Sequence, residues 1–164
     1  MSTKIKPIPD EFHTLTPYLT VKGAAQAIDF YKRAFGATER FRFPGPDGKT
    51  IGHAEIVIGD SILMMADEIP SMGNRSPQSF GGTPVSLLIY VEDVDSAYKR
   101  AIDAGAKVKM PVEDKFYGER AGCLEDPFGH QWTLMTHIED VSPEEMRKRM
   151  DAFTAKMKSG KPAT

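Results

Sequence analysis

The sequence predicts an α+β protein made of two βαβββ modules in tandem, followed by a C-terminal helix. Two observations carry that prediction. Residues 17–37, PYLTVKGAAQAIDFYKRAFGA, lie over residues 87–106, LLIYVEDVDSAYKRAIDAGA, with Val21 meeting Val91 at an offset of 70 residues. Each half reads strand, helix, Gly-Ala, and an internal period near half the chain length marks a repeated architecture. The second observation is that each helix is followed by short β-like runs separated by turn residues.

In the first half Ala24, Ala27, Ile28, Tyr31, Ala34 and Phe35 recur at helical spacing, giving the apolar stripe of an amphipathic helix, and Gly36 supplies its stop. Val94, Ala97, Tyr98, Ala101 and Ile102 repeat that stripe in phase, ending at Gly105. Behind the first helix come ERFRF (39–43), HAEIVI (53–58) and SILMMA (61–66), with turns at Pro44-Gly45-Pro46-Asp47-Gly48 and Gly59-Asp60. The second half places strands near 107–110, 119–124 and 131–136, with Asp126-Pro127-Phe128-Gly129 turning before the last. The segment 67–84, rich in Gly, Pro and Ser, is predicted to be a loop. Ser142, Pro143 and Glu145 cap a final helix running to about Lys158, whose Met146, Met150, Phe153 and Met157 form an apolar stripe able to cover the domain or join a second chain.

Composition narrows the function classes. A chain of 164 residues fits one domain of two small modules, and 21 basic against 23 acidic residues leave a formal charge of −2 with no surplus to neutralise phosphates or an anionic bilayer. Neither nucleic acid nor a membrane is expected as a partner. Cys123 is the single cysteine, so there is no internal disulfide and no multi-cysteine metal site. The N-terminus lacks a secretory apolar block and no run of 18 apolar residues occurs, so a cytoplasmic location is expected.

The segments TPYLTVKGAAQAIDFYKRAFGA, IGHAEIVIGDSILMMAD and DPFGHQWTLMTHIEDVSPEE resemble the vicinal-oxygen-chelate superfamily of glyoxalase I, bleomycin-resistance proteins and extradiol dioxygenases, and within it PhnB-like proteins, over about residues 13–150. The resemblance implies one domain over 1–138, whose modules (about 13–68 and 84–138) form a cupped sheet around a ligand, with helices outside and a helix and tail over 139–164. It also implies a homodimer. Strand alternation then turns Pro17, Leu19 and Val21 toward the helix and Thr16, Tyr18 and Thr20 into the cup. Ser86, Leu88 and Tyr90 look inward on the fifth strand, and Met64, Met65, Met110 and Met135 are candidate lining residues.

Metal-dependent members hold a divalent ion with four side chains, and the resemblance carries those positions onto Thr16, Leu63, Ser86 and Thr133. Two hydroxyl threonines, a serine and a leucine make no usual first shell, so no metal or other cofactor is expected. His53 and Glu55 share a strand face and admit three readings: a hydrogen-bonded pair, a carboxylate base raised by apolar surroundings, or part of a relocated metal shell. Arg120, if inward, would hold a carboxylate or oxyanion. The expected function is binding of a small, partly apolar organic molecule by Thr16, Tyr18, His53, Glu55, Leu63, Met65, Ser86, Tyr90, Arg120 and Thr133. The alternative is an enzyme of the same superfamily, with relocated metal ligands or with Glu55 as base and Arg120 as anion holder. Cys123, in AGCL, reads as a buried inert thiol, and Trp132 as buried behind the Asp126 turn.

Overall fold

Residues 5–159, described by a computed structural model, follow the predicted order. The elements are β1 (Tyr18–Val21), α1 (Ala24–Phe35), β2 (Thr38–Pro44), β3 (Ile51–Ile58), β4 (Ser61–Asp67), a 3-10 turn (Pro70–Met72), α2 (Pro77–Phe80), β5 (Ser86–Tyr90), α3 (Val94–Ala104), β6 (Lys107–Asp114), β7 (Glu119–Glu125), β8 (Gln131–His137) and α4 (Pro143–Lys158). Two four-stranded mixed sheets result, ordered β1-β4-β3-β2 and β5-β8-β7-β6. In each, the module's first strand runs parallel to its last and the other pairs are antiparallel.

The apolar stripes are buried over most of their length, Phe35 being half-buried at the end of the first and Ile102 exposed at the end of the second. Ala24, Ala27, Ile28, Tyr31 and Ala34 are buried on α1, and Val94, Ala97, Tyr98 and Ala101 on α3. Gly36 closes α1 in the left-handed region at φ 68°, its N–H donating to the Tyr31 carbonyl. The start of α1 is held from a distance. Asp67 Oδ1, at the end of β4, accepts from the Gly23 and Ala24 N–H groups at 2.8 Å each. Asp93 caps α3 by accepting from Ser96 N–H at 3.1 Å.

Three boundaries differ from the sequence reading. β6 continues through Pro111 to Asp114, because β6 is an edge strand where a missing N–H breaks no ladder, and its register shifts between Met110 and Glu113. β3 begins at Ile51, earlier than His53. The segment between modules contains the 3-10 turn and α2, whose start is fixed by Ser76 before Pro77 and by Glu68, which accepts from Ser76 N–H at 2.9 Å and Ser79 Oγ at 2.6 Å.

The modules meet through one core. Leu19, Val21, Ala54, Ile56, Leu63 and Met65 from the first sheet share a cluster with Leu124, Trp132 and Leu134 from the second and with both long helices. Asp126 Oδ2 accepts from the Tyr31 hydroxyl at 2.7 Å and from Trp132 Nε1 at 2.8 Å, and Arg100 Nε donates to the Ala34 carbonyl at 3.0 Å. His130 Nε2 lies 3.2 Å from the Thr20 carbonyl, and the Phe35 ring is 4.7 Å from Trp132. Among the described residues, every hydrogen bond and ring contact linking the two modules runs through α1, α3, the carbonyl of Thr20, the Asp126–His130 turn or Trp132. Among the described residues no strand pairing joins the two sheets.

α4 starts as predicted, with Ser142 Oγ accepting from Glu145 N–H at 3.2 Å. None of its residues is buried, and Met150 and Met157 are exposed. It is tethered by Arg149, which donates to Glu139 at 2.7 Å and to the Phe116 carbonyl at 3.2 Å, and by Phe153 against Phe116 at 4.8 Å between centroids. The segment leading into α4 crosses Gly118, whose carbonyl accepts from Ile138 and Glu139 N–H at 3.0 and 3.1 Å. Only glycine fits there: φ is +91° and a Cβ would lie 2.2 Å from the Glu139 carbonyl oxygen. Among the described residues no helix is long and apolar enough to cross a membrane.

Candidate functional site

Strand pairing sorts side chains by face without ambiguity, since directly paired residues share a side. In the first sheet Tyr18, Met64, Glu55 and Phe41 form one row across β1, β4, β3 and β2 on the face turned away from α1. In the second sheet Leu88, Thr133 and Cys123 form the matching row across β5, β8 and β7, with Met110 on β6. These are the inner faces of the two modules. Tyr18 is 52 % exposed and Tyr90 is 62 % exposed, so each face presents aromatic surface to solvent.

On the first face the Tyr18 hydroxyl lies 3.1 Å from His53 Nδ1, and His53 Nε2 lies 3.6 Å from Glu55 Oε1. Partial burial lifts the Tyr18 phenol above its ordinary value. Glu55 is buried, and its charge is met by Arg40, whose Nη1 donates to Oε2 at 2.8 Å while Nη2 pairs with Glu11. The Phe12 ring lies 5.7 Å from the same guanidinium. Phe41 lies 5.9 Å from His53 and 5.2 Å from Phe43, extending the aromatic surface. His53 and Glu55 share the face but stand beyond hydrogen-bond distance of each other, the imidazole bonding to Tyr18 and the carboxylate to Arg40.

On the second face the Ser86 hydroxyl lies 3.4 Å from that of Thr133, which lies 3.3 Å from Cys123 Sγ. Beyond them Glu119 Oε1 faces His137 Nδ1 at 3.0 Å and accepts from the Tyr90 hydroxyl at 3.4 Å. His137 Nε2 lies 2.9 Å from Asp140 Oδ1. Carboxylates only accept, so satisfying both contacts needs both ring nitrogens protonated, and the two carboxylates raise the imidazole above its ordinary value. A groove of about 380 Å³ between the β3–β4 turn and β5, lined in part by Pro17, Ile62, Leu88 and Tyr90, lies between the modules.

Several sequence-predicted site residues are placed elsewhere. Leu63 and Met65 pair with Ile56 and Ala54 on the helix-facing side and are buried in the core, so they cannot line the inner face; Ile62 and Met64 stand there instead. The repeat itself shows the one-residue slip, because Met64 stands opposite Tyr18 as Thr133 stands opposite Leu88 at the offset of 70. Arg120 also turns outward. It pairs with Thr136 and bridges Asp95 on α3 and Asp114 on β6 at 2.8 Å, leaving no inward guanidinium to hold an oxyanion. Cys123 is half-buried on the inner face, not buried behind it, since β7 alternation turns Gly122 and Leu124 to the helix. Thr16 precedes β1, its hydroxyl donating to the His13 carbonyl at 2.9 Å. Tyr18, His53, Glu55, Ser86, Tyr90 and Thr133 do lie on the inner faces.

Arg40, Phe41, Phe43 and Glu119 were not picked out as site residues by sequence. A register shift between Glu39 and Phe41 breaks the alternation from which β2 would be read. The divalent ion implied by the superfamily resemblance does not fit the residues present: with the register corrected, its four positions offer three hydroxyls and the Met64 thioether. Among the described residues no group of three or more His, Cys, Asp or Glu is placed to hold a metal.

Comparison with known proteins agrees with this architecture. The model of the Glyoxalase/Bleomycin resistance protein/Dioxygenase superfamily matches residues 12–134. An uncharacterized protein of Mycobacterium tuberculosis is 45 % identical over 141 residues, 84 % of this chain and 82 % of that one. Among solved structures, TioX from Micromonospora sp. ML1 is 28 % identical with a TM-score of 0.60, covering 76 % of this chain and 98 % of its own. A Bacillus cereus PhnB protein, 18 % identical with a TM-score of 0.59 over 76 % of this chain and 99 % of its own, shares the fold. The chain belongs to the glyoxalase/bleomycin resistance protein/dioxygenase superfamily.

Proposed function

We propose that this PhnB-like chain binds a small, planar, partly apolar organic molecule in the cytoplasm, in a cup that two copies of the chain close together. The observation that carries the reading is the pair of open inner faces. Each combines exposed aromatic or apolar side chains, Tyr18, Phe41 and Phe43 on one and Leu88, Tyr90 and Met110 on the other, with a few fixed polar groups. Such lining buries a flat apolar guest while the polar groups set its orientation. The pairing of copies is supported by the contacts between modules, which run through the helices and the Asp126 turn, so that the inner faces approach each other in one chain only at the groove edge formed by Ile62, Leu88 and Tyr90. In a twofold dimer the first face of one copy meets the second face of the other, twice. A binding role needs neither a resident ion nor Arg120 inside the cup. Thermal unfolding with a panel of naphthalene and quinoline derivatives tests the reading: a saturable rise in midpoint for planar aromatics is expected, and no rise with any member of the panel would overturn it.

A further inference from the structure

Arg40 reaches the first inner face through an irregularity in β2. The register shift between Glu39 and Phe41 leaves Arg40 and Phe41 both opposite Glu55, so the bulge brings onto this face a basic side chain that alternation with Phe41 would send to the helix side. There two carboxylates of different standing share the guanidinium. The Glu55 side chain is 7 % exposed and accepts from Nη1 at 2.8 Å. Glu11, which takes Nη2, is 59 % exposed and comes from the segment ahead of β1.

That segment crosses the face. Glu11 and Phe12 meet Arg40 on β2, His13 Nε2 lies 3.7 Å from Asp60 Oδ2 in the β3–β4 turn, and the Pro17 carbonyl accepts from Met64 N–H at 3.0 Å beside β1. The chain from Glu11 to Pro17 thus passes from one edge strand of the sheet to the other, a width of about 14 Å. Among the described residues, no backbone group from Asp10 to Thr16 is hydrogen-bonded to the sheet, so side-chain contacts alone hold this strap down. An ion pair with one partner largely in solvent adds little stability, and such a contact exchanges readily.

We propose that Glu11 is a built-in stand-in for the guest: its carboxylate occupies the place on Arg40 that a carboxylate of the bound molecule takes on entry, lifting the strap. The inference rests on the cup reading and adds the chemical class of the guest, an aromatic body with an acid group directed to the first face. Exchanging one carboxylate for another leaves the charge around Arg40 unchanged. Phe41 and Tyr18, with ring centroids 5.9 and 5.6 Å from that of His53, offer the aromatic contact alongside. Pro17 and Asp60, at the far end of the strap, line the groove between the modules, so the ground that the strap covers adjoins that cavity.

The test titrates naphthoate and naphthylmethanol, alike in ring and different in charge, into the full chain and its variants by calorimetry at neutral pH. Glu11→Gln removes the tethered competitor and is expected to tighten naphthoate about tenfold, the worth of one hydrogen bond to a charged group, with naphthylmethanol changed by less than about twofold. Arg40→Met with Glu55→Leu, which leaves neither partner of the buried pair alone, is expected to bind the two probes equally, and adding Glu11→Gln to it should change nothing. Glu11 is exposed, so its variant keeps the idea falsifiable if the Arg40 variant fails to fold. Naphthoate binding unchanged or weakened by Glu11→Gln, or both probes tightened alike, overturns the assignment and leaves the cup standing. A gain from Glu11→Gln that survives the loss of Arg40 does the same. Failure of both probes to bind either the unaltered protein or Glu11→Gln overturns the cup reading, and this assignment with it.

Discussion

The Tyr31 hydroxyl donates to Asp126 Oδ2 at 2.7 Å across the boundary between the two modules. The same oxygen accepts from Trp132 Nε1 at 2.8 Å, and Oδ1 accepts from the backbone N–H groups of Phe128 and His130 at 2.9 Å each. A buried carboxylate with four donors is fully satisfied, which is why a charged residue can sit in the core. Burial and the adjacent Asp126 push the Tyr31 phenol well above its ordinary value, so it remains a donor at any ordinary pH.

Removing that donor therefore loosens the joint. Tyr31→Phe is expected to cost about 1–3 kcal/mol, and each kcal/mol lowers the melting midpoint of a domain this size by about 2–4 °C. Asp126→Asn is expected to cost more, because its amide nitrogen must face donors. Calorimetry reads both, and an unchanged midpoint for Tyr31→Phe would contradict the joint.

The face assignment in β4 separates stability from binding. Leu63→Ala is expected to lower stability by about 2–5 kcal/mol, as for a truncated core leucine, with affinity for an aromatic probe preserved. Met64→Ala, one residue along on the inner face, is expected to change affinity with a smaller loss of stability. The reverse pattern would restore Leu63 to the site.

Arg40 is the counter-ion of a buried carboxylate. Loss of one partner from a fully buried pair costs about 3–5 kcal/mol, and the 27 % exposure of the Arg40 side chain reduces that to roughly half. Arg40→Met is expected to show this loss in denaturant unfolding, and adding Glu55→Leu to recover most of it. Additive losses in the double variant would show that the two groups do not act as a pair.

His137 links β8 to the segment entering α4 through Glu119 and Asp140. Its folded value is raised, so the stability it contributes is fully present below the unfolded value of about 6.5 and is lost as pH rises through the folded value. Stability measured across this range should fall with rising pH on that account, and His137→Gln should remove that component. Identical pH profiles for the two proteins would place the link elsewhere.

Much of the fold was legible because it rests on local periodicity. The stripes on α1 and α3, the Gly36 stop and the Ser142-Pro143 start of α4 depend on residues within a few positions of one another. What escaped depends on distant partners or on parity. Asp67 caps α1 from 43 residues away, and Asp126 reads as a turn residue until Tyr31 is seen 95 residues earlier in contact with it. At the site, Tyr18, His53, Glu55, Ser86 and Tyr90 follow from simple alternation and Thr133 from the family resemblance, whereas Leu63 and Met65 lie one position from the inner face, which on a strand reverses the side. Arg120 reads as an anion holder only on the condition that it turns inward, and Asp95 and Asp114 turn it out.

The central claim is that two chains each lend one inner face to a shared cup, and complementation tests it most directly. One variant carries Tyr18→Arg on the first face and a second carries Leu88→Arg on the other. Alone, each dimer has a blocked face in both cups and should not bind a planar aromatic probe. Unfolded together and refolded as a mixture, the mixed dimers join two intact faces in one cup, so probe binding should return at one molecule per mixed dimer. Binding by either variant alone, or none in the mixture despite a dimeric solution mass, would contradict the account.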